Sequence, residues 1–488
     1  MNPAQLALEA IVVQPRTDRV QQPGEPTSVD RFFRISHRGS TVGREVRGGL
    51  TTFVAMCYIV LLNPLILSAS TDITGLRLTT EQVTTATALA AAVTTVLMGL
   101  IGNAPLAVAA GLGVNGIVAF QLAPAMTWGQ AFGLVVLEGL CIVALAISGV
   151  RERIINAIPS ALKTGITVGI GLYIALVGLV SAGFVTRTPD KADSTVPVRM
   201  GVDGHLTGWP IVVFCLGLLL MVILVAKAVP GAVLISIGAA TLLAVVLNSV
   251  FDISGWGLVE PAVPTQVVAS PDFSLFGQID LFGGFVSAGA MTATVFLFTL
   301  VLSGFFDAMG TITSVAQEAG IMREGKVEGM GRILFVDGLG AVAGGVSGSS
   351  PNTVFLESAA GVGEGARTGL ASVVTGGLFA ATLFLTPIAA IVPAQAAAPA
   401  LVVIGGMMMA QCRRIPWQDA DVVLPVFLIA ALIPFTYSIT NGIGAGLIAY
   451  VVIKLSKGKA SEVGWLLGGL AVVFAAYFGV EAVKLVVT

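Results

Sequence analysis

The side chains able to do chemistry in this chain are few, and most stand inside apolar stretches. Asp307 lies in "VLSGFFDAMGTITS", where Ser303, Asp307 and Thr311 at i, i+4 and i+8 share one helical face. Glu357 follows Asn352 and Thr353 in "GSSPNTVFLESAAGVGEGARTG" (348–369), a run of small residues broken by Pro351. Asn115 stands in "APLAVAAGLGVNGIVAF" (104–120), glycine-rich and interrupted in the same way. Asp337 in "LFVDGLGAVAGG" and Glu138 in "VVLEGL" complete the carboxylates, and Thr51, Thr52 and the Asn63-Pro64 pair mark the first apolar stretch. Carboxylates and amides can grip the edge of a flat polar solute, and a carboxylate can also gain and lose a proton. Each has a structural alternative: Asn115 an interhelical hydrogen bond, Asp337 an ion pair with Arg332, Asn63-Pro64 a relaxed kink.

Composition says what kind of element must hold these groups. Of 488 residues, 56% are hydrophobic and 11% charged, with a mean hydropathy of +0.94. Soluble domains carry about 25% charged residues. Apolar cores recur at 53–68, 132–147, 211–226, 232–247, 285–302, 370–392 and 422–437, each fit to cross a bilayer as a helix of roughly 20 residues. The expected fold is an all-α polytopic membrane protein, with the lipid bilayer as its partner. An ionisable residue within such a span is a functional candidate by default.

The net charge of −2 carries no signal for nucleic acid. Cys57, Cys141, Cys215 and Cys412 show no paired spacing, so neither a disulfide framework nor a metal site is expected. Residues 1–46 are polar and basic without the apolar core of a cleavable signal, and read as a tail whose end is amphipathic. Basic residues fall mostly in alternate connections: 31–47, Arg151 and Arg153, Lys227, 323–332, Arg367, Arg413 and Arg414, and 454–459. The loop 252–280 has no Lys or Arg, and the 187–199 stretch is mixed. The positive-inside bias puts the N-terminus in the cytoplasm and that loop outside a cell inner (plasma) membrane.

About fourteen segments result, with 463–487 unplaced. "IPSALKTGITVGIG" (158–171) resembles "VPAQAAAPALVVIG" (392–405) at an offset of about 234. The same offset lays 47–69 over 281–303 and 105–120 over 339–354. An odd seven-segment repeat must be inverted relative to its twin. The expected organisation is a tail over 1–46, a first repeat over 47–250, an outer loop over 251–280, a second repeat over 281–456 and a C-terminal apolar segment and tail over 457–488. Broken segments in corresponding positions of inverted repeats point to a transporter's solute site. Their irregular backbone must line protein, because unpaired N–H and C=O groups cost several kcal/mol in lipid.

"RFFRISHRGSTVGREVRGGLTTFVAMCYIVLLNP", "GLGVNGIVAF", "FFDAMGT" and "PNTVFLESAAGVGEGARTGL" resemble the signature stretches of the AzgA-like purine permeases, a branch of the nucleobase–cation symporters. The resemblance runs from about Arg31 to Lys454. It implies two inverted seven-span repeats, core and gate domains, broken third and tenth segments, and proton-coupled uptake of adenine, guanine or hypoxanthine. The driving force it implies is the proton gradient, with no cofactor. Asp307 and Glu357 match the family's two substrate-site carboxylates, taken also as the proton-coupling pair, and Asn115 its third-span polar residue. Thr311, Asn352 and Thr353 join them as candidate binding residues. Pro351 and Asn352 depart from the commonest pattern, which leaves the fine substrate preference open. A homodimer is an open assembly state.

Rival functions have less behind them. Xanthine, uracil or another nucleobase on the same fold is the alternative substrate class. Sulfate would want a fixed positive charge, and none lies near Asn115 or Glu357 in the broken segments. An intramembrane serine hydrolase, hinted at by "GVSG" (345–348), lacks a histidine base, since His37 and His205 fall outside the spans. A passive channel fits paired carboxylates at broken helices less well than alternating access does. No enzyme is expected.

Overall fold

The computed structural model describes residues 27–148, 159–188, 197–257, 259–264, 266–323 and 326–487. Residues 1–26 of the tail, Ile158, Arg151 and Arg153 among the basic positions, and the middle of the 187–199 stretch lie outside them.

The chain opens on a short helix α1 (Ser28–Phe33), capped by Thr27. Thr41 accepts from Arg44 N to start α2 (Val42–Met56). The chain breaks at Cys57-Tyr58 and resumes as α3 (Ile59–Leu67), which carries Pro64. A capping box between Thr79 and Gln82 starts α4 (Thr80–Leu97), which ends in a π-turn over Met98–Gly102. Next comes the interrupted stretch: β1 (Val108–Ala110), α5 (Leu112–Ile117) and a second π-turn, Val118–Leu122. Four long helices follow: α6 (Trp128–Ser148), α7 (Ser160–Ser181), α8 (Trp209–Ala226) and α9 (Ala232–Phe251). The hairpin β2 (Val185–Arg187) with β3 (Val198–Met200) lies between α7 and α8.

The second half begins with α10 (Gly283–Ser287) and the 29-residue α11 (Ala290–Glu318), which carries Asp307. A small hairpin, β4 (Met322–Arg323) and β5 (Lys326–Val327), leads to α12 (Met330–Ser347). Its own interrupted stretch is β6 (Asn352–Val354) and α13 (Ser358–Gly363). The chain closes with α14 (Gly369–Thr382), α15 (Thr386–Ala390), α16 (Ala394–Met409), α17 (Ala420–Phe435), α18 (Ile439–Ser456) and α19 (Trp465–Val487). Among the described residues, ten helices are long and apolar enough to cross a membrane, and four shorter apolar ones accompany them.

Packing divides these elements into two groups. One gathers α2 to α6 with α12 to α14; the other gathers α7 to α9 with α16 to α18. α11 touches both, through α6, α13 and β6 on one side and α18 on the other.

A single offset of 234 does not hold along the chain. Pro159 and Pro393, ahead of α7 and α16, do stand 234 apart. The counterpart of β1 is β6, however, 244 residues on, and most of 339–354 belongs to α12. Connections of unequal length shift the register between corresponding helices, which a fixed offset between apolar stretches cannot follow.

Candidate functional site

The two interrupted stretches meet each other. β1 and β6 pair antiparallel, with Val108 opposite Val354, Ala109 opposite Thr353 and Ala110 opposite Asn352. The ladder extends at both ends, Phe355 N donating to Ala107 O and Gly111 N to Pro351 O, each at 2.9 Å. Two strands of three residues are not stable alone. Side chains of neighbouring helices take up several backbone groups of these strands and of the stretch leading into β1. On α4, Thr95 Oγ1 donates to Val108 O (2.8 Å) and accepts from Val108 N (3.0 Å). Ser372 Oγ reaches Ala104 O and Leu106 O at 2.7 and 2.8 Å, and Ser358 Oγ accepts from Ala107 N at 3.0 Å. Irregular backbone inside an apolar bundle is tolerated on those terms.

The candidate residues gather around this pair. Glu357 is the residue before α13, half-buried, and accepts a hydrogen bond from the Tyr58 hydroxyl at the α2–α3 break. Asp307 faces it from α11, close enough for the two carboxylates to interact electrostatically. Ser303, one turn before, is buried, and its hydroxyl has no hydrogen-bond partner; Thr311, one turn after, is half-buried. Asn115 on α5 is fully buried, donates to Asn63 Oδ1 (3.2 Å) and leaves its own Oδ1 unpartnered. Asn352 donates to Thr94 Oγ1 (3.1 Å), and its Oδ1 is likewise unpartnered. Buried polar atoms are rarely left so. Ser303 on α11, Asn115 on α5 and Asn352 on β6 itself thus each hold a buried oxygen without a hydrogen-bond partner.

Asp337 differs from its sequence reading. Its Oδ1 accepts from Thr353 Oγ1 (3.0 Å) and from Val354 N (3.1 Å), so its partners are β6 rather than Arg332. It also lies within electrostatic reach of Asp307. Asn63 does more than relax a kink: it donates to Thr87 Oγ1 (2.8 Å) and Ser349 Oγ (2.9 Å), and Ser350 Oγ donates to it at 3.0 Å. Thr52 packs on Gly361 in the α2–α13 contact, apart from this cluster. Tyr58, Thr94, Thr95 and Ser358 escaped sequence reasoning. The signal available was the threonine-rich face of α4, "TEQVTTATALAAAVTTVL", costly in a span unless it bonds something.

Comparison with known proteins agrees with this architecture. Residues 43–445 match a permease family, the xanthine/uracil permeases. The chain is 39% identical over 459 residues to the guanine/hypoxanthine permease PbuG of Bacillus subtilis (strain 168), covering 92% of this chain and 98% of that one. It is 36% identical over 438 residues to the adenine permease AdeP of Escherichia coli (strain K12), covering 89% and 92%. Among solved structures, the transmembrane domain of the cyanobacterial bicarbonate transporter BicA superposes with a TM-score of 0.58 at 16% identity, over 84% of this chain and 97% of that one, a likeness of fold. With two broken segments paired at its centre and this kinship along nearly its whole length, the chain belongs to the xanthine/uracil permease family, among its purine nucleobase permeases, and is a membrane transporter rather than an enzyme.

Proposed function

We propose that this protein imports adenine, guanine or hypoxanthine across the cell's plasma membrane by proton symport, its N-terminus in the cytoplasm, through alternating access at the β1–β6 pair. The observation that carries the reading is the approach of the Glu357 and Asp307 carboxylates to each other where α11 packs on β6, with unpartnered amide oxygens on Asn115 and Asn352 in the two interrupted stretches themselves. A purine is a flat ring with N–H donors along its edge, and these oxygens are acceptors. Asn115, Asn352, Thr353 and Glu357 would meet that edge, with Asp307 and Thr311 approaching from α11. The purine permeases among the relatives support the substrate class. Two carboxylates within electrostatic reach of each other suit a proton as the coupled ion, since each can take one up and release it. Labelled purine uptake by cells lacking purine transport, with and without an uncoupler, tests this. Uncoupler-sensitive uptake of at least one of the three purines is expected; uptake of uracil or xanthine alone, with no purine competition, would refute it.

A further inference from the structure

Glu138 stands midway along α6, fully buried, and neither of its carboxylate oxygens has a hydrogen-bond partner. Its surroundings are closely fitted. From α11, Gly304 lies against it, so that a Cβ there would stand 2.6 Å from Glu138 Oε1. From α12 comes Asp337, close enough for the two charges to interact. The adjacent glycines hold the two helices together: a Cβ on Gly139 would stand 2.6 Å from Gly338 O, and one on Gly338 would stand 3.1 Å from Gly139 O.

Other ionisable groups near it are few. On its own helix there is Cys141, and on α11 Asp307, one turn from Gly304. Asp280 lies at the start of α6, its side chain against Gln130 and its backbone against Gly129 and Gly133. The elements α10 and Val118–Leu122, also packed on α6, carry no ionisable side chain. Among the described residues no group of three or more His, Cys, Asp or Glu that would hold a metal ion occurs.

An ionised carboxylate with no donor at either oxygen is very costly inside an apolar bundle. Asp337 is furnished in the opposite way, with one hydroxyl and one backbone N–H aimed at a single oxygen. We propose that Glu138 is a proton-binding site that stores the coupled proton and exchanges it with Asp337. This rests on the proton-symport reading above. In the exchange a water molecule between the two groups carries the proton: the Glu138 carboxyl group gives up its proton and becomes a carboxylate that accepts from the water, and the Asp337 carboxylate takes a proton from the water and becomes an acid; no electrons change hands. A protonated Asp337 is a poorer acceptor for Thr353 and Val354, so the proton's position is passed directly to the hold of α12 on β6. Asp307 lies within electrostatic range of Asp337, so a proton held on Asp337 removes repulsion between the two carboxylates.

The test compares Glu138→Gln with wild type in vesicles. Exchange of labelled for unlabelled purine without a gradient should stay close to wild type. Accumulation driven by a pH gradient should fall by about ten-fold per unit of gradient, the share one coupled proton contributes. A glutamate that only fills space is replaced by glutamine without consequence, so wild-type accumulation with an unaltered pH profile overturns the proposal. Should the variant fail to fold, infrared spectroscopy of Glu357→Gln protein labelled with isotopic glutamate decides, with no purine present. A glutamic-acid carbonyl band that survives at neutral pH, where the exposed glutamates are ionised, and converts to carboxylate only as pH rises further is expected. Absence of that band, or its persistence unchanged at alkaline pH, overturns the proposal. Failure of the symport reading looks different: wild type then accumulates no purine under a gradient, while the infrared titration still reports on Glu138.

Discussion

Tyr58 and Glu357 illustrate how much rests on one contact: the phenol donates, and the carboxylate keeps further acceptor capacity for a solute. Under the proposed function, Glu357→Gln preserves an acceptor for Tyr58 and a donor beside it, so purine binding should persist while transport falls. Glu357→Ala leaves Tyr58 and the solute without a partner, at a cost of about 1–3 kcal/mol, or roughly 5- to 150-fold in affinity. Asp307→Asn should bind purine yet fail to concentrate it. Calorimetry on purified protein beside uptake in vesicles separates these outcomes, and wild-type accumulation by both Asp307→Asn and Glu357→Gln would end the proton role of the pair. A different carboxylate contributes to acid stability. In the α3–α4 loop burial pushes the Asp72 carboxyl up, but donors from Thr74, Leu76 and Trp128 outweigh it and hold the group below the ordinary range. A lowered folded value means stability that is present above the unfolded value, about 3.9, and lost as pH falls through the folded one. The thermal midpoint of wild type should therefore drop on acidification below about pH 4, and Asp72→Asn should show a smaller drop.

At the scale of elements, the strand pair depends on helices that flank it. Thr95→Val keeps shape but leaves the buried Val108 N–H without its side-chain acceptor and Val108 O with only the longer bond from Thr94 Oγ1 (3.3 Å). A loss of about 1–3 kcal/mol is expected, read as a lower unfolding midpoint in detergent. The α6–α12 crossing tolerates even less: Gly139→Leu would drive a side chain into Gly338 O and Val342 N, the latter 2.5 Å from the Cβ position. It should yield no folded protein, checked by size-exclusion chromatography. The interruptions around Asn115 and Glu357 were legible because Gly, Pro and Asn disrupt an apolar pattern visibly. Their pairing was not, since strands of three residues have no period to detect. Asp337 and Asn63 were undervalued because their partners, Thr353 and Ser350, lie across a bend or nearly three hundred residues away. Carboxylate positions on α11 and before α13 could be read directly; which hydroxyls fasten the backbone needed three dimensions.

For the molecule as a whole, the two ends of the bundle differ in charge. Lys454, Lys457 and Lys459 converge on Asp421, while the loop between α9 and α10 has no basic residue. Positive-inside bias then predicts that a lone cysteine at Lys457 is labelled only from the cytoplasm and one at Val267 only from outside, both side chains being exposed. Labelling of the Lys457 position by an impermeant reagent added outside would reverse the orientation. The join of β1 to β6 also has a consequence for how the protein is made. Ribosomes deliver Val108 long before Val354, and at roughly 5–20 residues per second the delay is on the order of tens of seconds. Throughout that interval the first strand has no mate, and bare peptide groups do not settle among acyl chains. The nascent first half must wait beside the insertion machinery or under a chaperone's cover until its second half emerges. A chain ended at residue 350 should accordingly be cleared by proteolysis as fast as it is synthesised, although all its long apolar helices up to α12 are present, and pulse–chase labelling would time that clearance.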